Sequence, residues 1–443
     1  MNTYEIIIAL SSVIILSFFF NVISKKTKIP SVLMLMILGI FAQIWVGHGQ
    51  KTFLMDILPI LGNVGLIMIV LEAALDLELK KEKKSLILKS LGVATIALFG
   101  SSFGIAYIIQ YMLPGDHTFV QSLTYAIPLS IMSSAIIIPS VSSLREDKKE
   151  FMVYESTFSD ILGIMFFYFL VGSDSSESAG EIVWSIFLNI LLTAIMAGIV
   201  AYGLVYLFQK LKSQVKLFLI ISVLMLMYAV GKSFHLSALV IILAFGLVLN
   251  NTNLFFRGIL SKYVNEEATK PIMHDFHIIT LETAFVIRTF FFVIFGIVIS
   301  LESLVNIDVA LISLAVVGVL FFVRYISLKL FVRKFIMPQL LLAPRGLITV
   351  LLFFVIIGGE HNDLIIKNFD PGILLYTIII TSIIMAIGLI TNRGEKVKDV
   401  LIDNVKKNLQ DLKDIPKTVI QPREAEGIDV DIQKKLDNNE LEA

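Results

Sequence analysis

Long hydrophobic runs separated by short polar segments make up most of the chain. A run of about 18 apolar residues is long enough to cross the hydrocarbon core of a membrane as an α-helix. A helix satisfies its own backbone hydrogen bonds in lipid, and the alternation typical of barrel strands does not occur in the sequence. The pattern therefore predicts an all-α polytopic membrane protein with thirteen spans, at residues 4–23, 30–47, 56–78, 86–112, 118–142, 150–172, 181–209, 214–231, 235–250, 274–300, 305–331, 338–358 and 371–392.

The basic residues support this assignment, because they gather on alternate loops. Cytoplasmic loops carry an excess of Lys and Arg. With thirteen spans, the basic clusters at 80–84, 145–149 and 210–216 all fall on one side, and few basic residues fall on the other. We therefore expect the N-terminus outside and the C-terminus in the cytoplasm. A bacterial inner membrane is expected because the sequence shows no organelle signal and the tail is short. Glu5 and the missing cleavage site favour a retained first span over a signal peptide.

Composition narrows the class of protein further. Of the 443 residues, 57% are hydrophobic and 16% charged, whereas soluble domains are about half apolar and a quarter charged. This excludes a soluble protein with one anchor. The formal net charge is zero, so a nucleic-acid partner is not expected. Cysteine is absent, which excludes disulfides and thiolate metal sites. The sequence has no nucleotide motif, so we expect neither a cofactor nor ATP-driven transport.

Two domains are predicted, a transmembrane domain over 1–392 and a cytoplasmic tail over 393–443. The tail is charged, and apolar residues recur in it at helical spacing. This spacing predicts one amphipathic helix, followed by disorder beyond Pro416. The alternative is a solvated tail with a modest regulatory effect. The apolar positions are Val397, Leu401, Val405, Leu409 and Leu412.

The sixth span carries ionisable residues that are costly inside a membrane and therefore indicate function. Glu155 and Ser159 are four residues apart, as are Ser156 and Asp160, so all four share one broad helix face. Carboxylates and hydroxyls supply only oxygen atoms, which hard cations prefer and for which protons compete. The alternative for Glu155 is a carboxylate that reaches water at the membrane edge, whereas Asp160 lies deeper.

Two spans contain signals for broken helices. The fifth span has prolines at both ends of 128–139, with Ser133 and Ser134 between them, and the twelfth contains 344–346 with Arg345 in the middle. Proline cannot donate a backbone hydrogen bond and glycine weakens a helix, so both spans are predicted to break. Broken helices near the bilayer centre are typical of secondary transporters. Both breaks fall in the fifth member of a six-helix half, which predicts inverted repeats.

Three further charges lie within spans. Arg345 cannot lose its proton and needs a buried anion, for which Glu155 is the candidate. That ion pair would leave Asp160 as the carboxyl group that titrates. Arg288 in the tenth span is either a helix-packing residue or a ligand. Glu72 in the third span either marks the cytoplasmic interface or faces a cavity.

These segments together resemble the NhaP/NHE-type sodium–proton antiporters of the cation–proton antiporter superfamily. The sequence from Glu155 to Asp160 is similar to their Glu-Ser-two residues-Asn-Asp pattern, and Pro344–Gly346 to their Pro-Arg-Gly. The stretches 288–292 and 71–77 also resemble family segments. There are two departures. Ser133-Ser134-Ala135 stands where the family has Thr-Asp-Pro, and Ser159 stands where it has Asn.

The resemblance implies a homodimer in the lipid bilayer, with a dimerisation domain and a mobile core domain in each protomer. It implies elevator-like transport with Asp160 as the shared Na⁺ or K⁺ and proton site, and a stabilising ion pair between Glu155 and Arg345. The implied cation ligands are Asp160, Ser156, Ser159, Ser133 and Ser134.

The predicted function is the exchange of a monovalent cation, Na⁺ first and K⁺ second, for H⁺. A single titrating carboxyl group releases one proton for each cation bound, which predicts electroneutral 1:1 exchange. No reaction chemistry is needed, so the chain is not predicted to be an enzyme. The first alternative is a transport-inactive or channel-like membrane sensor on an antiporter scaffold, because Ser134 replaces the family Asp. A carrier of organic anions would fit Arg345 and Arg288 but leaves Asp160 without a role.

Overall fold

A computed structural model describes residues 3–27, 29–77, 79, 81–172, 216–233, 238–251, 266–298, 305–333, 336–358 and 364–391, with isolated positions between 192 and 203. The described residues form α-helices joined by turns and short 3₁₀ segments, without strands. The helices are α1 (Thr3–Thr27), α2 (Ser31–Ala42), α3 (His48–Asp76), α4 (Lys84–Met112), α5 (Phe119–Ser130), α6 (Ser134–Ser140), α7 (Glu146–Gly172), α8 (Lys216–Ser233), α9 (Ala238–Asn250), α10 (Glu266–Val298), α11 (Ile307–Phe331), α12 (Leu347–Gly358) and α13 (Gly372–Thr391).

The predicted all-α polytopic fold is confirmed. Within the described ranges, seven helices are long and apolar enough to cross a membrane, and four shorter helices are also apolar. Outside the broken spans the bounds differ most at two helix starts: α3 begins at His48 rather than 56, and α10 begins at Glu266 rather than 274. A helix can continue beyond the hydrocarbon layer, where polar residues are hydrated, and hydropathy does not detect that extension. The seventh span, 181–209, falls almost wholly outside the described residues, as does the tail 393–443, so the span count and the tail helix stay predictions.

Both predicted helix breaks are present. The backbone is extended at Ile131 and Ser133, between the end of α5 and the start of α6. In the twelfth span only a turn precedes the break, and the regular helix begins at Leu347. The two breaks touch, because the Ser133 N–H donates to the Pro344 carbonyl at 3.0 Å. An unwound stretch at membrane depth is tolerated where protein buries it, and here each break helps to satisfy the backbone of the other.

The helices pack as two bundles. We call α4, α5, α6, α7, α11, α12 and α13 the site bundle, and α1, α2, α3, α8, α9 and α10 the flanking bundle. The bundles meet where α3 packs against α6, α7 and α12, and where α9 packs against α7. Both broken helices belong to the site bundle. The face of α7 that carries the predicted site is therefore next to the boundary between the bundles.

Candidate cation site

Asp160 is buried on α7, with 2% of its surface exposed. Its Oδ2 accepts a hydrogen bond of 3.2 Å from the backbone N–H of Ser134, at the start of α6. Its Oδ1 is buried without a partner among the described residues. A helix N-terminus stabilises a negative charge, because its first N–H groups have no partner within the helix. The start of α6 therefore holds one oxygen of the carboxylate and leaves the other available to a ligand.

A small cavity adjoins Asp160. Its volume is about 10 Å³, which is space for one particle of the size of water. Ile161 and Ile348 line it from the site bundle, and Val70 and Ala73 line it from α3 of the flanking bundle. The carboxylate thus lies on the boundary between the bundles, in surroundings that are otherwise apolar.

The four serines predicted near Asp160 have different roles. The Ser133 hydroxyl is buried in the break without a described partner, so it remains available as an oxygen ligand. Ser134 contributes its backbone N–H to Asp160. The Ser159 hydroxyl accepts from the Met132 N–H at 2.9 Å and thereby ties α7 to the break. The Ser156 hydroxyl donates to a carbonyl of its own helix at 3.2 Å.

The predicted ion pair between Glu155 and Arg345 is wrong. Glu155 pairs instead with Arg324 of α11 in a bidentate contact, with distances of 2.6 and 3.1 Å. Both side chains are almost fully buried, and Arg324 also donates to the Gln339 carbonyl just before the second break. The fork of a guanidinium matches the two oxygens of a carboxylate, which makes this pairing specific. Glu155 therefore joins α7 to α11 and does not reach water at the membrane edge.

Among the residues that the structure describes, buried Arg345 forms no hydrogen bond or ion pair with a carboxylate. Its guanidinium donates to the carbonyls of Leu129 at 2.9 Å, Ser130 at 3.1 Å and Ala343 at 2.6 Å. Leu129 and Ser130 form the end of α5, where carbonyl oxygens have no helical partner and the helix dipole is negative. These carbonyls replace the predicted partner, because Arg345 compensates the negative end of the half-helix α5.

Arg288 and Glu72 form a second ion pair, within the flanking bundle. Arg288 Nη2 lies 3.0 Å from Oε2 and 3.2 Å from Oε1 of Glu72. Arg288 Nη1 also donates to the carbonyl of Ala135 in α6, at 3.1 Å. Glu72 is therefore a partly buried carboxylate paired with the Arg288 guanidinium, rather than an exposed charge at the membrane interface. One turn further along α3, Asp76 accepts from His277 at 2.9 Å, beside a larger cavity of about 200 Å³.

The comparisons with known proteins agree with this geometry. The family model described as "Sodium/hydrogen exchanger, transmembrane" matches residues 11–392. The chain belongs to the sodium/hydrogen exchanger family. The resemblance inferred from the sequence motifs is thus confirmed, and family membership supports cation–proton antiport as the activity.

Solved structures agree on the fold. The sodium proton antiporter MjNhaP1 from Methanocaldococcus jannaschii at pH 8 is 20% identical, with a TM-score of 0.64, and the match covers 89% of this chain and all of that one. An electron-microscopy structure of MjNhaP1 is 18% identical, with a TM-score of 0.57, over 96% of this chain and all of that one. At these identities the likeness shows the fold alone. No curated protein matches the chain.

Arg324 is the site residue that the sequence reasoning missed. A signal was present, because Arg324 is a cation inside the apolar run of α11, seven residues before the helix ends. It was passed over because it lies beside no proline, glycine or acidic motif. A search for every intramembrane charge, whatever its neighbours, would have found it.

Proposed function

We propose that this family member exchanges a monovalent cation, Na⁺ first and K⁺ second, for H⁺ at Asp160. The observation that carries the proposal is that the break holds Asp160 through the Ser134 N–H, while Oδ1 of Asp160 and the hydroxyl of the adjoining Ser133 are both buried without described partners. Oxygen ligands suit alkali cations, and a proton competes with a cation for a carboxylate. Either ligand neutralises Asp160 and makes its passage through the membrane less costly.

The stoichiometry follows from the pairing of the other buried charges. Glu155 is paired with Arg324, and Glu72 with Arg288. In each pair the positive charge of the guanidinium favours the ionised carboxylate. Arg345 stays charged and is compensated by carbonyls. Asp160 is then the carboxyl group that alternates between proton and cation, which gives electroneutral 1:1 exchange.

The proposed movement is of the elevator type. Asp160 adjoins a cavity lined from both bundles, so a shift of the site bundle along the flanking bundle would carry the site from one side of the membrane to the other. We further propose a homodimer in the plasma membrane, with the N-terminus outside, the C-terminus in the cytoplasm, and a role in pH homeostasis.

The test is cation-dependent dissipation of a pH gradient in proteoliposomes. Wild type should exchange Na⁺ or K⁺ for H⁺, and Asp160→Asn should lose exchange by at least about a hundredfold, since an amide cannot alternate between a proton and a cation. Asp308→Asn is the matched control, because it removes an exposed carboxylate at the start of α11 and should keep wild-type exchange.

A second candidate is a sensor or channel-like protein on the antiporter scaffold. It is favoured by the absence of a carboxylate from the break, where Ser134 stands in place of the family Asp. This candidate gains support if wild-type protein exchanges no monovalent cation for protons between about pH 5 and 9. Flux that persists in Asp160→Asn would also favour a channel over an exchanger.

A further inference from the structure

Among the described residues, a single charged donor crosses the boundary between the two bundles near Asp160. Arg288 belongs to α10 of the flanking bundle, and its Nη1 donates to the Ala135 carbonyl of α6 in the site bundle, at 3.1 Å. Ala135 directly follows Ser134, whose N–H holds the Asp160 carboxylate. One turn of backbone therefore contacts both the cation site and the other bundle.

Glu72 determines where the guanidinium points. Its two oxygens hold Nη2 of Arg288 at 3.0 and 3.2 Å, and this leaves Nη1 directed at the carbonyl in α6. Glu72 and Arg288 both belong to the flanking bundle, so the pair stays together if the bundles move past one another. The contact with Ala135 is the part of this arrangement that such a movement must break.

The guanidinium is also incompletely satisfied. Nε of Arg288 is buried and has no partner among the described residues. A buried donor without a partner costs free energy, because it has lost its hydrogen bonds to water. The contacts of Arg288 are therefore not at their optimum in this arrangement of the bundles, which is expected of a residue that changes partners during movement.

From these contacts we propose that Arg288 is a positioning residue that latches the site bundle to the flanking bundle through Ala135, with Glu72 holding the latch in place. This inference rests on the proposed function, since it assumes that the bundles move during exchange. The latch stabilises the present arrangement of the bundles. It contacts α6 in the same turn whose Ser134 N–H donates to Asp160. A ligand that draws Asp160 away from Ser134 thereby acts on the latch as well.

The test measures the arrangement of the bundles directly. The natural chain has no cysteine, so spin labels attach only to introduced ones. Trp45→Cys on the flanking bundle and Tyr111→Cys on the site bundle are suitable, because both side chains are largely exposed. Pulsed electron paramagnetic resonance on the labelled protein in nanodiscs then gives the distribution of distances between the bundles.

Arg288→Gln should shift the distribution toward a second distance, with a change of about tenfold in the population ratio, equivalent to about 1.4 kcal/mol. Glu72→Gln should shift it in the same direction and serves as the second variant if Arg288→Gln does not fold. The matched control is Ser17→Ala, which removes a buried 2.7 Å hydrogen bond to Thr289, the neighbour of Arg288, within the flanking bundle. Ser17→Ala should leave the distribution unchanged.

Either of two results would overturn the latch: a folded Arg288→Gln protein with the parent distribution, or an equal shift in Ser17→Ala. The distances are recorded without transport, so they are independent of the exchange assay. If wild-type protein shows no exchange in proteoliposomes, the proposed function is contradicted. If wild-type protein exchanges cations but Arg288→Gln leaves the distances between the bundles unchanged, the latch alone is contradicted.

Discussion

Glu155, Arg324 and Arg345 show how the protein keeps charged side chains inside its helices. Arg324 has a carboxylate in bidentate contact, and Arg345 has the carbonyls that end a half-helix. A buried ion pair contributes little net stability, but removing one partner leaves an uncompensated charge and is costly. The pairing therefore matters more for fixing α7 against α11 than for stability itself.

We expect Glu155→Gln to destabilise the protein by about 3–5 kcal/mol, because Arg324 would remain charged and buried without its carboxylate. Arg324→Gln should lower the free energy of unfolding by a similar amount. The double variant should lose less free energy of unfolding than the two single variants lose together. Reversible unfolding in mixed micelles measures all three free energies. Strictly additive losses would mean that Glu155 and Arg324 do not interact.

The broken helices show how local sequence is used to build the site. The fifth span breaks at 131–133, between Pro128 in α5 and Pro139 in α6. The second break meets the first because Gly346 allows close approach. A Cβ at Gly346 would lie 2.6 Å from the Ser133 hydroxyl and 2.9 Å from both Ser133 Cβ and Ile136 Cδ1. The position of Ser133, next to the Ser134 that holds Asp160, thus depends on the missing side chain of Gly346.

Gly346→Ala should push the two breaks apart, reduce exchange by about tenfold or more, and lower stability by about 1–3 kcal/mol. Gly318→Ala is the matched control, since a Cβ there meets nothing within 4 Å and α11 is otherwise regular. That change should keep exchange and leave stability equal or slightly higher. Proteoliposome exchange and unfolding are measured side by side, and normal exchange by Gly346→Ala would contradict the packing argument.

For the whole molecule, the proposed exchange at Asp160 predicts that one cation and one proton compete for one carboxyl group. The two bundles carry paired carboxylates within themselves, and Asp160 lies at the boundary between them. A cation and a proton that share one carboxyl group exclude each other, and linkage makes this competition reciprocal. Under the proposed exchange, we therefore expect the pH on one side of the membrane to control the apparent affinity for the cation on that side.

The apparent KM for Na⁺ should rise by about tenfold for each unit by which the pH falls, over the range in which Asp160 is mostly protonated, because one proton competes with one cation. Initial exchange rates in proteoliposomes, with the Na⁺ concentration varied at each fixed pH, give this slope. A slope near a hundredfold per unit would indicate two competing protons and contradict 1:1 exchange.

The sequence by itself determined the features that depend on neighbouring residues along the chain. Hydrophobic runs indicated which stretches are helical, the prolines and Gly346 indicated which two spans break, and the spacing of Ser156 and Asp160 placed oxygens on one face of α7. The family, too, was recognisable from short motifs. Each follows from a local property, such as the solubility of a side chain in lipid or the missing N–H of proline.

Only the tertiary structure decided which charges pair. Glu155 and Arg324 are 169 residues apart, and Glu72 and Arg288 are 216 apart. The partner of a buried carboxylate depends on which helices lie side by side and how they are rotated, and hydropathy contains no information on either. Arg345 shows the same limit, because its partners are backbone carbonyls, and every residue has one. The packing of the helices selects among these equivalent groups, since it brings the carbonyls of Leu129 and Ser130 at the end of α5 within reach of Arg345, in addition to the nearby Ala343 carbonyl.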